Sequence, residues 1–569
     1  MENLYASLLK TWCDRLISLQ VKGTGVKQLD GGFLCPACKV IHGRCGDAIF
    51  PMMLLAQRTG EEKYLSSARA LFAFQENMLC DDGSLYNDGN SAWNGITVFA
   101  AIALCEALDH CGELLEAEER AAWRARMTKM GDWLLNNIGP DFPSNINYRA
   151  TNAGAMALLG RYLGREDYLR HARLMADFSM RHFTDAGFLR GEGKPIDLTT
   201  PRGCHPIDLG YNVEESVPSL VKCALALNDS EMLEQLKIIL RQQLNFMLPD
   251  GGWNNSFGSR NNKWTYWGSR TSDGCEGAYG LLGREEPLFA EACRRNTELL
   301  LRCTHDGLLY GGPQYFEHGE PPCVHHTFCH ANAIAVALRA LDGAEPSRTE
   351  LPLDAPGPFL AHDRDIDTWR FSVGPWRGSV TGFDYDIHAG HATGGTLSML
   401  WHEKTGPVML SSVVDYWLVE PHNMQLPLEK ARHRALTPRV ELMQGGRRFA
   451  QCYDTHASIQ ASLTGECVRF EVAAALVDQQ QNPLPDGATF AALTYEISGS
   501  RAVLSGRVYG TYAKDAVLVL PVIPAQAQVL TVPVADPPQH IFFLTGGFGA
   551  EEYRIRPDGN GCFRAEIRL

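Results

Sequence analysis

The feature that most limits the fold is a recurring punctuation in the first 345 residues. A Gly or Asn turn, an acidic helix start and an amphipathic run follow one another in Thr59-Gly60-Glu61-Glu62-Lys63-Tyr64-Leu65 and in Leu163-Gly164-Arg165-Glu166-Asp167-Tyr168-Leu169. The same order returns in Asn228-Asp229-Ser230-Glu231-Met232-Leu233 and Gly283-Arg284-Glu285-Glu286-Pro287-Leu288-Phe289. Acids in a first turn complement the helix dipole. Apolar residues then recur at helical spacing, as in Leu65, Ala68, Leu71 and Phe72. Successive starts lie roughly 55–65 residues apart, with one double gap that holds a further hairpin near residues 98–135. Helix pairs repeated in this way bury their apolar stripes only against one another, which predicts a solenoid or a toroid over residues 1–345.

The pattern then changes. Gly343, Pro346, Pro352, Pro356 and Pro358 interrupt any helix, so residues 346–367 read as a linker. From Thr368 to the end, short alternating runs such as Asp515-Ala516-Val517-Leu518-Val519-Leu520-Pro521-Val522 are separated by Gly, Pro, Asn and Asp. That is the pattern of an antiparallel β-sandwich over residues 368–569. The expected fold class is α+β multidomain.

The charge balance narrows the partners. Lys and Arg total 52 and Asp and Glu 66, so the net charge is −14, which argues against nucleic acid. No apolar run approaches the roughly 20 residues of a membrane span. Seventeen cysteines is an odd number, and Cys105, Cys223 and Cys293 fall in helical apolar context, which suggests reduced thiols. The first residues enter an amphipathic helix without the basic start and apolar centre of a signal peptide. The expectation is a cytoplasmic protein, or a periplasmic or secreted one whose leader has been removed. A homodimer is left open.

Loops rich in Gly, Asn, Trp and Tyr lie between the helices. They hold Trp93 and Asn94, Arg149, Arg202, and Tyr266, Trp267 and Arg270. Aromatic rings and amides on one rim suit sugar stacking and the fixing of hydroxyls, and the cations suit an acidic ligand. Read singly, each is equally a helix cap or a turn. Cys35-Pro36-Ala37-Cys38-Lys39-Val40-Ile41-His42-Gly43-Arg44-Cys45 has the compact spacing of a zinc knuckle through Cys35, Cys38, His42 and Cys45.

Three segments carry a family resemblance. The first is Phe383-Asp384-Tyr385-Asp386-Ile387-His388-Ala389-Gly390-His391-Ala392-Thr393-Gly394-Gly395, at the opening of the β-domain. The second is Tyr148-Arg149-Ala150-Thr151-Asn152-Ala153-Gly154-Ala155. The third is His205-Pro206-Ile207-Asp208-Leu209-Gly210-Tyr211-Asn212-Val213-Glu214-Glu215-Ser216. Together with the helix-then-sheet plan, these resemble the heparinase II/III-like polysaccharide lyases. The histidine spacing is one longer than in that family, Thr393 stands where it has Asp, and Leu209 is inserted before Gly210. The family's downstream Tyr is absent, since Pro218-Ser219-Leu220 follows, so Tyr211 or Tyr266 is the candidate phenol.

The resemblance implies an (α/α) toroid, as an incomplete barrel, joined to a β-sandwich that lends a histidine to the active site. It implies β-elimination on a uronate-containing polysaccharide or oligosaccharide, with glycosaminoglycans such as heparan sulfate, chondroitin sulfate or hyaluronan preferred over alginate. Asn152 and His388 would hold the substrate carboxylate. His205 and Tyr211 would be base and acid, and Tyr385 would join the substrate contacts. A free phenol titrates near about 10, so Tyr211 needs cationic neighbours. His391, Asp415 and His456 would hold a structural zinc or manganese ion, or else form a hydrogen-bonded network. His205 before Pro206 is also a turn cap, and Asn152 also an N-cap. A glycoside hydrolase using Asp208, Glu214, Glu215 or Asp273 is the first alternative, because it needs only two carboxylates. A non-catalytic carbohydrate-binding protein is the second. An epimerase would leave the β-domain without a role.

Overall fold

A computed structural model describes residues 3–87, 92–263, 265–266, 274–344, 348–385, 391–415, 434–485 and 487–569. The sequence punctuation becomes helix boundaries. Gly60, Gly164 and Asn228 take left-handed backbone (φ 70°, 69° and 52°) and end the helices Ile49–Thr59, Ile146–Leu163 and Val217–Leu227. Glycine adopts that conformation without a Cβ penalty, and Asn tolerates it. The next helices open at Glu62, Glu166 and Ser230, the last behind an Asp229 side chain that accepts from the Met232 amide.

Among the described residues, six helices form an inner ring, each packed on the next: Ile49–Thr59, Thr97–Cys111, Ile146–Leu163, Val217–Leu227, Glu276–Leu282 and Val324–Ala340. The ring, expected to be incomplete, closes where Val324–Ala340 meets Ile49–Thr59. Inner helices are buried on nearly every side, and their sequences are apolar or small all round, as in Ala100, Ala101, Ala103 and Ala107. Outer helices such as Glu166–Met180 and Pro287–Arg302 bury a single stripe. Small residues set the close approach of inner helices. At Gly154 an added Cβ would lie 2.6 Å from the Ser219 carbonyl oxygen. Gly154→Ala is therefore expected to cost about 2 kcal/mol or more through overpacking. A lower denaturant midpoint checks this, and an unchanged midpoint would contradict the packing.

The β-domain has three antiparallel sheets among the described residues. The first runs in chain order through Phe359–Asp363, Thr368–Val373, Trp376–Thr381, Thr396–His402 and Gly406–Leu410. The second is built around Val517–Val522 and Phe548–Ile555, and joins the first where the Ile523 amide donates to the Val408 carbonyl. The third includes Cys467–Ala475, Phe490–Ser498 and Arg501–Tyr509. Phe371, Leu397 and Leu518 share one core with Phe470 and Leu504 of the third sheet. Met399, Trp401, Phe542 and Phe548 instead join the helical core. The first two sheets are thus covered on both faces, by the third sheet on one side and the toroid on the other. The third sheet keeps one face in water and alternates buried with exposed along Cys467–Ala475.

Polar contacts fix the two domains together. Arg202 Nε donates to Asp367 at 2.6 Å and its backbone amide to Asp384 at 3.1 Å. Asn254 Nδ2 donates to Ser379 Oγ at 3.0 Å, and Trp401 Nε1 to Asp250 at 2.7 Å. Ser412 and Thr545 donate to the carbonyls of Asn261 and Asn262. The loop at residues 253–263 is therefore clasped between the toroid and the sheets.

Candidate active site

Asp208 organises the site. Its buried carboxylate accepts from the Tyr211 amide at 3.1 Å, from Asn255 Nδ2 at 2.9 Å and from the Arg260 amide at 3.0 Å. One carboxylate thus sets both the turn Leu209–Tyr211 and the loop that carries the cations. Past Tyr211 the chain widens into a π-helical turn, Asn212–Ser216, a feature found often at functional sites.

Tyr211 is 5% exposed, and its hydroxyl accepts a hydrogen bond from Lys263 Nζ at 3.0 Å. The Arg260 guanidinium lies 5.2 Å from the centre of the same ring. Ser259 pins this loop by donating to the carbonyls of Ile207 and Glu192, at 2.8 and 2.6 Å. Glu192 lies beside it, fully buried, and accepts from the Asn147 amide at 3.1 Å. Burial pushes the Glu192 carboxyl up to about 8, against the lowering pull of Arg260. Asn147 Nδ2 donates to Glu215 at 2.7 Å. Tyr385 reaches in from the β-domain, so that a Cβ on Gly193 would run into its hydroxyl. The outer rim carries Trp93, 36% exposed, whose Nε1 donates to Tyr148 Oη at 2.8 Å. Asn94 follows it, half-buried.

Glu192 gives a pH-dependent prediction. Its folded pKa lies above that of a free carboxyl, so its contribution to stability is fully present in acid and is lost as pH rises through about 8. Glu192→Gln is expected to flatten the fall of the melting temperature between about pH 5 and about pH 9. Parallel melting curves for the two proteins across that range would contradict it.

Other expected site residues lie elsewhere. Asn152 is fully buried and donates Nδ2 to the Ile138 carbonyl at 2.9 Å, beside His171. Asn147, in the first turn of the same helix, is the Asn that bonds to Glu215. Arg149 spends its guanidinium on the carbonyls of Pro140, Phe142, Ser144 and Asn145, which makes it a loop brace. Arg202 is consumed by the interdomain contacts. Tyr266 packs edge-on against Phe548 at 5.4 Å, and burial with the neighbouring Asp250 carboxylate drives its hydroxyl far above the ordinary phenol range. Of the two candidate phenols, Tyr211 is the one that lies beside Lys263 and Arg260. His205 is half-buried, with Nδ1 3.1 Å from the Leu198 carbonyl oxygen. His388, Trp267 and Arg270 lie outside the described residues.

Among the described residues, His391, Asp415 and His456 do not come together as a group of metal donors. Arg448 Nη1 donates to Asp415 at 3.0 Å. The His456 side chain is 81% exposed, while His391 lines a small pocket with Tyr385, Thr393 and Tyr453. The expected knuckle also changes. Cys45 is taken up in the short helix Gly43–Ala48, and Cys323 joins Cys35, Cys38 and His42 in its place.

The sequence reading missed Glu192, Asn147 and Arg260. Glu192 stands between Gly191 and Gly193, and Arg260 to Lys263 is a dense polar run, Arg-Asn-Asn-Lys, that the fold buries. Only the burial of that run marks it as an interface.

The ulvan lyase N-terminal domain model matches residues 9–355, and the ulvan lyase C-terminal domain model matches residues 360–535. The chain belongs to the ulvan lyase family. A curated broad-specificity ulvan lyase of Formosa agariphila is 36% identical to this family member over 533 residues, covering 92% of this chain and 83% of that protein. Among solved structures, the chondroitin AC lyase of Streptomyces coelicolor A3 is 14% identical, covering 99% of this chain and 77% of its own, at a TM-score of 0.48. A sugar epimerase from a ruminal bacterium covers 60% of this chain and 100% of its own, at 13% identity and a TM-score of 0.44. These two likenesses are too distant to carry an argument. Family membership makes the chain a polysaccharide lyase acting on an acidic polysaccharide, as the sequence resemblance implied.

Proposed function

We propose that this ulvan lyase family member cleaves ulvan by β-elimination, with Tyr211 moving the proton. The observation that carries this reading is the hydrogen bond from Lys263 to the Tyr211 hydroxyl in a buried cleft. A cation that donates to a phenolic oxygen stabilises negative charge on it, and in a water-poor site the effect is larger. Tyr211 as phenolate takes the proton from the carbon next to the substrate carboxylate. The electrons left behind form a carbon–carbon double bond, the bond to the linking oxygen breaks, and that oxygen takes up the proton Tyr211 has gained, which restores the phenolate beside Lys263.

The proton removed is only weakly acidic while the neighbouring carboxylate is charged, so the developing dianion needs a donor. Glu192 is protonated at neutral pH and can supply one. Glu192→Gln keeps a donor, so its activity is expected within about tenfold of the parent. Glu192→Ala is expected to lose about 10²-fold. The parent's activity is expected to fall as pH rises through about 8, where Glu192 ionises, and the Gln variant to lack that fall. Arg260 and Lys263 supply the local positive charge that a chain of net charge −14 needs to receive a polyanion.

The substrate is tested by following the ultraviolet absorbance of the conjugated enoate with ulvan, heparan sulfate, chondroitin sulfate, hyaluronan and alginate. The largest rise is expected with ulvan. A rise with a glycosaminoglycan and none with ulvan would overturn the substrate assignment and keep the reaction.

A further inference from the structure

We propose that Cys35, Cys38, His42 and Cys323 bind one structural zinc ion that locks the toroid closed. The four candidate ligand atoms lie within 4.8 Å of one another. The Cys323 sulfur stands 3.7 Å from that of Cys35, 3.6 Å from that of Cys38 and 3.6 Å from His42 Nε2. With zinc–sulfur bonds of about 2.3 Å, a tetrahedral centre holds its sulfurs about 3.8 Å apart. A disulfide would bring two of them to about 2.05 Å. The cluster therefore has the dimensions of a site closed around a tetrahedral ion, and three thiolates with one imidazole are a zinc donor set.

The local backbone suits the purpose. The Cys35 amide donates to the Val40 carbonyl at 3.0 Å and the Lys39 amide to the Cys35 carbonyl at 3.0 Å, which closes a tight hairpin. Lys39 takes left-handed backbone at its tip (φ 58°), and the Cys38 amide points at the Cys35 sulfur, 3.3 Å away. Cys323 comes from the far end of the domain, as the residue that caps the start of Val324–Ala340, where the helix dipole favours a thiolate. Cys35 and Cys323 are buried and His42 is 9% exposed, and four protein ligands leave no open position for a reacting water. The role is structural.

Its position explains why it would matter. Cys35 and Cys323 are 288 residues apart in sequence, and the ion joins the first hairpin to the last inner helix at the seam where the ring closes. His42 leads directly into Arg44, whose guanidinium pairs with Asp47 at 2.7 Å and lies 3.8 Å from the Phe99 ring centre. Asp47 and Phe99 line the bore of the toroid beside Glu214 and Glu215. The clamp thus sets one wall of the bore behind the catalytic turn.

The test is elemental analysis of the full-length purified protein with its Cys variants. The expected content is one zinc per chain, falling below about a tenth in Cys323→Ser and in Cys38→Ser and unchanged in Cys45→Ser. Cobalt exchanged into the parent protein should give the intense visible bands of a tetrahedral thiolate site. This spectrum, and release of one zinc when a mercurial titrates the thiols, need no variant to fold. A parent protein that takes up no stoichiometric zinc or cobalt would overturn the proposal. So would a Cys35–Cys323 disulfide found by mass, or full zinc retention in Cys323→Ser.

Discussion

Replacing Tyr211 by Phe is expected to lower kcat on ulvan about 10³-fold, with KM changed only a few-fold, because a positioned acid–base group contributes on the order of 10²–10⁴. The change removes one oxygen and leaves the ring, its packing and the Arg260 guanidinium beside it in place. Lys263 loses its acceptor but keeps its charge. Binding of the polyanion therefore survives while the proton has no carrier. Initial rates from enoate absorbance check this, with a melting curve to show that the variant folds. Activity within tenfold of the parent would remove Tyr211 from the chemistry.

Lys263→Met is the second large effect, an expected loss of about 10²-fold, comparable to removing one preorganised donor. Methionine keeps most of the stem and removes the ammonium. The direction with pH follows from the charge. Without the cation the phenolate is harder to form, so the acid limb of the rate profile moves to higher pH. Lys263→Arg, which keeps a donor and a charge, should recover part of the activity. An unchanged profile in Lys263→Met would mean that the hydrogen bond at 3.0 Å holds the loop without tuning the phenol.

The helical half was legible because its signals are local. Gly60, Gly164 and Asn228 stop helices by their own backbone preferences, and the acids that follow start the next ones. The third sheet was legible for a similar reason, since Cys467–Ala475 has one wet face and alternates. Strands such as Trp376–Thr381 are buried on both faces, so alternation has less to report there. Within the candidate site, Tyr211 is legible as a candidate because its turn keeps a recognisable motif. Asn152 bonds to the Ile138 carbonyl, whereas Asn147 of the same helix bonds to Glu215. Five residues on a helix turn the side chain by about 140°, and sequence gives that phase only once the face lining the bore is known. Arg149 and Arg202 have the right charge in the right loops, but nearby carbonyls and carboxylates capture them. Glu192 has no local mark beyond two flanking glycines, since its proton is held by burial that the fold creates. Cys323 lies too far along the chain from Cys35 for any spacing rule to join them, so Cys45 stood in for it.

The central claim is that bonds are cut by elimination at Tyr211 and not by water. The most direct test is mass spectrometry of the products formed from ulvan in heavy-oxygen water. Elimination predicts an unsaturated end lighter by one water than a hydrolysis product, with no heavy oxygen incorporated, and no such product from Tyr211→Phe at matched enzyme. One heavy oxygen per cut, with saturated ends, would contradict the account and assign the cleft to hydrolysis by its buried carboxylates.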